Sequence, residues 1–289
     1  MGKGLATCCA IAVAIAFGLL GAARADAAIS PVAHTTANTG FGTAGSLTVT
    51  KPAGTAAGDL LLLYVSTEGG TAIPIPAGWS TNYSTAAYYG YAIAAYKIAG
   101  ASEPASYTVN LGTTRKATVA LQAWRGVDNV NPLGDVATDG SPFSSTSAPA
   151  GSVTTTRVNS LVVVGVTWGD EVTSTTPAGV TSLGSVKTSS GSGGLTSHHG
   201  YFTQAAAGAT PTRTYTSSIS TDWGTASTVL QAPPATPTIN SSPATPSNSR
   251  SPSWSFSVSE AGDTFQCQLN RGGTVISAWA ACTSAKSYD

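Results

Sequence analysis

An all-β sandwich is the fold class this sequence predicts, on three observations. Apolar, β-branched and aromatic runs of five to eight residues recur, separated by Gly, Pro, Asn and Ser, the pattern of short strands joined by turns. No long segment beyond the N-terminal region has the periodicity of an amphipathic helix. The middle of the chain carries one ordered set of landmarks twice. Gly58-Asp59-Leu60 and Asn159-Ser160-Leu161 each open an apolar run, and Pro76-Ala77-Gly78 and Pro177-Ala178-Gly179 follow at the same offset of 101. Gly90-Tyr91 then matches Gly200-Tyr201, Tyr107-Thr108 matches Tyr215-Thr216, and Leu121-Gln122 matches Leu230-Gln231, at offsets of 108–110. A loop insertion in the second copy accounts for the growth, so the sequence predicts an internally duplicated β unit.

Residues 1–25 read as a signal peptide. Lys3 supplies a short positive region, Leu5–Ala23 is apolar, and Ala23-Arg24-Ala25 fits a small-x-small cleavage site. Cleavage after Ala25 removes Lys3 and Arg24, so 13 − 2 = 11 basic residues stand against 13 acidic ones. The expectation is a secreted chain with no membrane insertion after cleavage. Cys8 and Cys9 leave with the leader, and Cys267 and Cys282 remain as one disulfide pair of an oxidising compartment.

The expected strands of the first copy are Ser46–Thr50, Leu60–Ser66, Tyr88–Ile98, Ser106–Asn110 and Lys116–Trp124. Those of the second are Leu161–Thr167, Gly200–Gln204, Arg213–Thr216 and Thr225–Leu230. Leu60–Val65 and Leu161–Val166 are continuously apolar, as in strands covered on both faces. The copies abut without a linker, which favours one sandwich over 26–231 with halves of about 29–130 and 131–231. The join, Asn131–Ala150, reads as a loop. Residues 232–252 contain Pro233, Pro234, Pro237, Pro243, Pro246 and Pro252 and read as an extended linker. Residues 253–289 follow as a partial module, with Trp254, Phe256 and Val258 alternating with serines as on a half-buried strand.

Composition narrows the function. Charged residues are 9% of the chain and net charge is zero, so the surface must be built from Ser, Thr, Asn, Gly and Ala. Without a basic cluster, nucleic-acid binding is disfavoured.

Two stretches resemble known families. Trp254-Ser255-Phe256-Ser257, Ala261–Leu269 around Cys267, Ala281-Cys282-Thr283-Ser284 and Lys286-Ser287-Tyr288 resemble the immunoglobulin-like repeats of large bacterial surface proteins. Two strands that usually close that module are absent. The resemblance implies further repeats in a longer parent protein. Val49-Thr50-Lys51-Pro52, Gly58–Leu61, Pro76–Trp79, Tyr96–Ala99, Ser102–Thr108 and Trp124–Asp128 are similar to a jelly-roll-like sandwich module of bacterial secreted and phage-tail-like proteins. That resemblance implies a jelly-roll-like fold over about 30–232, export and a surface role. It transfers no catalytic residue.

The chemistry-bearing residues are few. The histidines are His34, His198 and His199, and no GxSxG elbow occurs, so a nucleophile–His pair has little support. His198-His199 lies in a Gly/Ser-rich stretch that reads as a hairpin loop. Glu68 follows the first apolar strand, and Asp170-Glu171 follow its counterpart. These loop acids would serve a glycosidase if two of them stood roughly 5–10 Å apart. Asp128, Asn129, Asn131, Asp135 and Asp139 offer oxygen ligands for calcium, although Asx residues also make turns. Trp79, Trp124 and Trp168 read as core. Tyr88, Tyr89 and Tyr91 with His198 and His199 form the candidate binding edge. The leading expectation is a non-catalytic extracellular module for attachment, glycan or surface-polymer recognition, or envelope architecture. A secreted carbohydrate-active hydrolase and a purely structural spacer stand beside it.

Overall fold

The structure is a computed structural model that describes residues 13–14, 28–70, 72–87, 90–188, 193–234, 237–244, 251–258, 265–271 and 274–288. Every regular element among them is a strand, so the chain is all-β, with several sheets. The predicted leader lies outside the described residues except Val13–Ala14, which pair antiparallel with Arg271 and Asn270. The chain divides into two compact units, Ala27–Pro233 and a second comprising Met1–Asp26 with Pro234–Asp289.

In the larger unit the strands are β1 (Ser30–Asn38), β2 (Ala44–Thr50), β3 (Leu60–Glu68), β4 (Ser80–Ala87), β5 (Gly90–Ile98), β6 (Ser106–Arg115) and β7 (Ala117–Arg125). They continue as β8 (Leu133–Ala150), β9 (Ser160–Trp168), β10 (Thr181–Lys187), β11 (Thr196–Gln204) and β12 (Arg213–Leu230). The first large sheet has the order β1-β7-β3-β5-β4. The second runs β12-β9-β11-β10, with β8 and the short strand Ser174–Thr175 paired to β12. Reading β8 as the partner of β12, both sheets share one order of strands. A separate two-stranded sheet, β2–β6, covers the outer face of the first. In the second half the same job falls to the far ends of β8 and β12. These strands shift register between Thr216 and Trp223, then continue as a pair at Ser147–Ala150 and Arg213–Thr216.

The pairing explains the two apolar runs. Alternate side chains of a strand point to opposite faces. Leu61, Leu63 and Val65 enter a core with Val49, Val109 and Leu121, while Leu60, Leu62 and Tyr64 enter another with Leu161, Val163 and Leu230. Val162, Val164 and Val166 face a third core with Tyr215 and Phe202. The middle core is therefore shared by the two large sheets. Each buried Leu or Val there contributes about 1.5–3 kcal/mol relative to exposure.

Two of the matched landmarks are turns, whereas Gly90-Tyr91 and Gly200-Tyr201 are strand residues at different register positions: Gly90 pairs with Glu68, and Gly200 with Val164. Trp79 N–H donates to Pro76 O (3.1 Å), and Val180 N–H donates to Pro177 O (3.2 Å). Gly78 and Gly179 sit at φ +80° and +73°, the left-handed position a type II turn requires. Before β3 and β9 the positive-φ residue is Gly58 in one case and Asn159 in the other, the residue types that tolerate it.

Several expected boundaries change. The Asn131–Ala150 join is not a loop, because Leu133–Ala150 pairs along β12. The two strands expected at Arg213–Thr216 and Thr225–Leu230 are one 18-residue strand. β10 ends at Lys187 and β11 begins at Thr196. His198 and His199 lie inside that strand, paired with Val166 and Gly165. They are not in a loop.

The smaller unit holds Thr238–Ser241 (β13), Ser253–Ser257 (β14), Phe265–Arg271 (β15) and Thr274–Cys282 (β16). β13 pairs with β14, so part of the expected linker is a strand. Trp254, Phe256, Cys267 and Leu269 are buried. Cys267 and Cys282 form the disulfide, with Cα atoms 5.9 Å apart. Among the described residues no helix is long and apolar enough to cross a membrane.

Candidate functional site

A cavity of about 240 Å³ opens between the two large sheets. Its walls come from β3, β4 and β5 on one side and β8, β9, β11 and β12 on the other: Tyr64, Tyr83, Thr85, Asp139, Thr167, His199 and Thr225 are among the lining residues. One register position in its wall differs between the two sheets. At the offset of 101, Tyr64 of β3 corresponds to Gly165 of β9. Without a side chain at Gly165, the His199 ring occupies that space. A Cβ on Gly165 would stand 2.5 Å from His199 Cδ2. The His199 ring instead packs on Tyr64, with centroids 4.6 Å apart and planes at 31°. Tyr83 lies 6.3 Å from Tyr64, centroid to centroid.

The polar partners fix these rings. The Tyr64 hydroxyl hydrogen-bonds Thr228, and Asn82 Nδ2 donates to Thr228 Oγ1 (2.8 Å). Burial pushes the Tyr64 phenol above its usual range, against that hydrogen bond. Burial first, then the nearby His198 and His34, holds the His199 imidazole down at about 3, so it is neutral at pH 7. Deeper in, Ser66 and Thr167 join their hydroxyls at 2.8 Å. At the rim, Asp139 is exposed and its Oδ1 accepts the Gly140 N–H (2.7 Å). It is the one acidic residue among the described lining residues.

The sequence-predicted edge is not assembled as an exposed edge. Tyr88 and Tyr89 lie outside the described residues. Tyr91 is half-buried against the outer core, with its hydroxyl 3.0 Å from Ser84 Oγ. His198 and His199 are both buried and, as neighbours on a strand, face opposite ways. His198 Nε2 lies 2.9 Å from Ser182 Oγ and 3.2 Å from Thr176 Oγ1, with its ring against Tyr215. Of the described members of that edge, only His199 lines the cavity.

The loop acids stand elsewhere. Glu68 is 3.8 Å from Lys116 Nζ. Glu171 accepts from Thr188 Oγ1 (3.4 Å), and Asp170 Oδ1 accepts the Glu171 N–H. A Cβ on Gly193 would stand 3.1 Å from Glu68 Oε1, and one on Gly194 would stand 2.5 Å from Glu171 Cγ. The two glutamates thus approach one loop, but neither lines the cavity.

The five Asx residues are dispersed rather than gathered. Asp128 is buried and accepts from Arg157 Nη1 at 2.7 Å. Asn129 and Asn131 are exposed. Asp135 accepts the Val136 and Thr154 N–H groups, and Asp139 sits at the cavity rim. Among the described residues no group of three or more His, Cys, Asp or Glu side chains could hold a metal ion.

Trp124 and Trp168 are fully buried, and Trp79 packs edge-on against Tyr107 at 5.3 Å. Sequence reasoning missed Tyr64 and Thr85, and it placed Tyr83 among the clustered aromatics that could stack on a sugar but left it out of the binding edge. The visible signal was Tyr64 itself, a hydroxyl-bearing ring inside an apolar run whose counterpart is glycine. Comparison of the chain with protein-family models, curated proteins and solved structures returns no match.

Proposed function

We propose that this is a non-catalytic, secreted bacterial surface module that recognises a carbohydrate in the cavity between its two large sheets. The observation that carries the reading is the lining. Rings of Tyr64, Tyr83 and His199 adjoin the hydroxyl-bearing residues Ser66, Thr85, Thr138 and Thr167. Apolar ring faces with a few convergent polar groups suit a hydroxylated ring. About 240 Å³ is below the roughly 300–1,000 Å³ of sites for drug-sized ligands, which favours one sugar unit of a chain or branch end.

Two further features support the reading. A glycosidase would require two suitably spaced carboxylates at the scissile bond, and among the described lining residues Asp139 is the only acid. The predicted leader and the Cys267–Cys282 disulfide favour an oxidising, extracellular setting.

A glycan array followed by calorimetric titration tests the proposal. Binding of at least one saccharide, weakened about tenfold or more in Tyr83→Ala with an unchanged circular dichroism spectrum, is the expected result. A blank array, or affinity indifferent to Tyr83→Ala, overturns it.

A further inference from the structure

We propose that the His199 imidazole is the group that reads the ligand, by hydrogen-bonding a hydroxyl of an uncharged sugar unit; this rests on the carbohydrate reading and deepens it. The strand register sets which side chains enter the cavity. Leu161 and Val163 of β9 face the middle core, so Gly165 and Thr167 face the same way. His199 pairs with Gly165, and its ring lies against Tyr64 on that inner side. At the rim, Asp139 pairs with Thr225. Both point to the outer face, where Thr225 Oγ1 donates to Pro149 O (2.8 Å). Lys and Arg are absent among the described lining residues. The described side chains on the inner walls therefore carry no charge at neutral pH, since burial keeps the His199 ring neutral above about pH 3.

Most hydroxyls of these walls are already engaged. The Tyr64 hydroxyl is bonded to Thr228, Ser66 and Thr167 hold each other at 2.8 Å, and Thr85 Oγ1 donates to Ala86 O (3.3 Å). His199 differs. It is 7% exposed, and among the described residues no hydrogen bond reaches either nitrogen of its ring. A buried polar group without a partner is destabilising, so the ring requires one from within the cavity. The Cδ2–Nε2 edge lies over Gly165, where a Cβ would stand 3.1 Å from Nε2. A neutral imidazole has one donor nitrogen and one acceptor nitrogen, and a sugar hydroxyl can pair with either. A uronate or an amino sugar would instead bring a charge to walls that hold no counter-charge, and burying an unpaired charge is costly.

Calorimetric titration of the full chain with the methyl glycosides of glucose, galactose, mannose, glucuronate and glucosamine supplies the test. At least one neutral glycoside should bind, about tenfold or more tightly than the two charged ones. His199→Phe, with an unchanged circular dichroism spectrum, should weaken that glycoside about tenfold. In the monodeoxy series of the bound sugar, one derivative should bind the parent about tenfold more weakly than the full sugar. His199→Phe should not distinguish that derivative from the full sugar. His199→Gln keeps a donor and an acceptor and should retain a deoxy penalty. A charged sugar bound as tightly as the neutral ones, affinity unmoved by His199→Phe, or a deoxy penalty that persists in His199→Phe or vanishes in His199→Gln overturns the assignment while leaving sugar binding intact. Silence of every glycoside overturns it as well, and together with a blank array overturns the carbohydrate reading too.

Discussion

Ser66 Oγ and Thr167 Oγ1 lie 2.8 Å apart at a buried point where the two large sheets meet. They are separated by 101 residues and stand at matching positions of β3 and β9. Thr167 also contacts Ser197 Oγ at 3.1 Å, and Ser197 reaches Thr118 at 2.6 Å. Four buried hydroxyls thus satisfy one another in an otherwise apolar seam, and Thr167 is central. Thr167→Val should destabilise by about 1–3 kcal/mol, because two polar partners lose a bond. Ser66→Ala, at the end of the chain of hydroxyls, should cost about 1 kcal/mol. Urea midpoints of the two variants measure the order; a larger loss in Ser66→Ala would contradict it.

Asp128 and Arg157 form the buried ion pair at the unit's exit. Arg157 Nη1 donates to Asp128 Oδ2 at 2.7 Å and to Ala232 O at 2.6 Å. Burial alone would raise the Asp128 carboxyl. The Arg157 hydrogen bond, the Val130 and Asn131 N–H groups and the Arg157 charge outweigh it and hold the carboxyl below its usual range. A depressed folded pKa stabilises above the unfolded value of about 3.9 and is lost as pH falls through the folded value. Arg157→Met should cost about 3–5 kcal/mol near neutral pH, since it strands a buried charge. Thermal melts from pH 5 to pH 2 should show a shallower acid loss in Asp128→Asn than in the parent.

The buried His199 titrates in a different window. Its folded pKa of about 3 lies below the unfolded value of about 6.5, so the unfolded chain takes the proton first. Stability is complete above pH 6.5 and falls as pH drops toward 3, by up to about 1.4 kcal/mol per pH unit. His199→Phe keeps a ring against Tyr64 and removes the proton site. Its urea midpoint should vary less between pH 6.5 and pH 4 than the parent's; parallel curves would refute the assignment.

The smaller unit depends on its cross-link. Cys267 and Cys282 close a separation of 15 residues, which contributes about 3 kcal/mol by the chain-entropy estimate. Phe265 pairs with Cys282, and Cys267 with Ala280, so reduction acts on the β15–β16 hairpin. Mild reductant should make residues 253–288 sensitive to protease before the larger unit. Simultaneous loss of both would count against it.

The legible parts of the fold were those whose chemistry is local. Leu60–Val65 and Leu161–Val166 announced doubly covered strands, because both faces of each strand are apolar. The Pro-Ala-Gly turns announced themselves because only a few residues accept positive φ. Ser30–Asn38, Ser80–Ala87 and Thr181–Lys187 went unread. They combine Ser, Thr and Ala with much exposure, and their ladder bonds come from neighbours rather than from composition. Leu133–Ala150 looked like a loop for its Asp, Ser and Pro, and the histidine pair for its Gly/Ser flank. The cavity could not be assembled from sequence, since Tyr83, Asp139, His199 and Thr225 meet only through packing of the two sheets.

The shared middle core makes neither half self-sufficient. Cut between Val130 and Leu133, the first half would present Leu60, Leu62, Tyr64 and Trp124 to water, and the second would present Leu161, Val163 and Leu230. A lone half carries a face shaped for a sheet of the same strand order. Its cheapest cover is another copy of itself, so half-length fragments would form twofold pairs that imitate the intact unit.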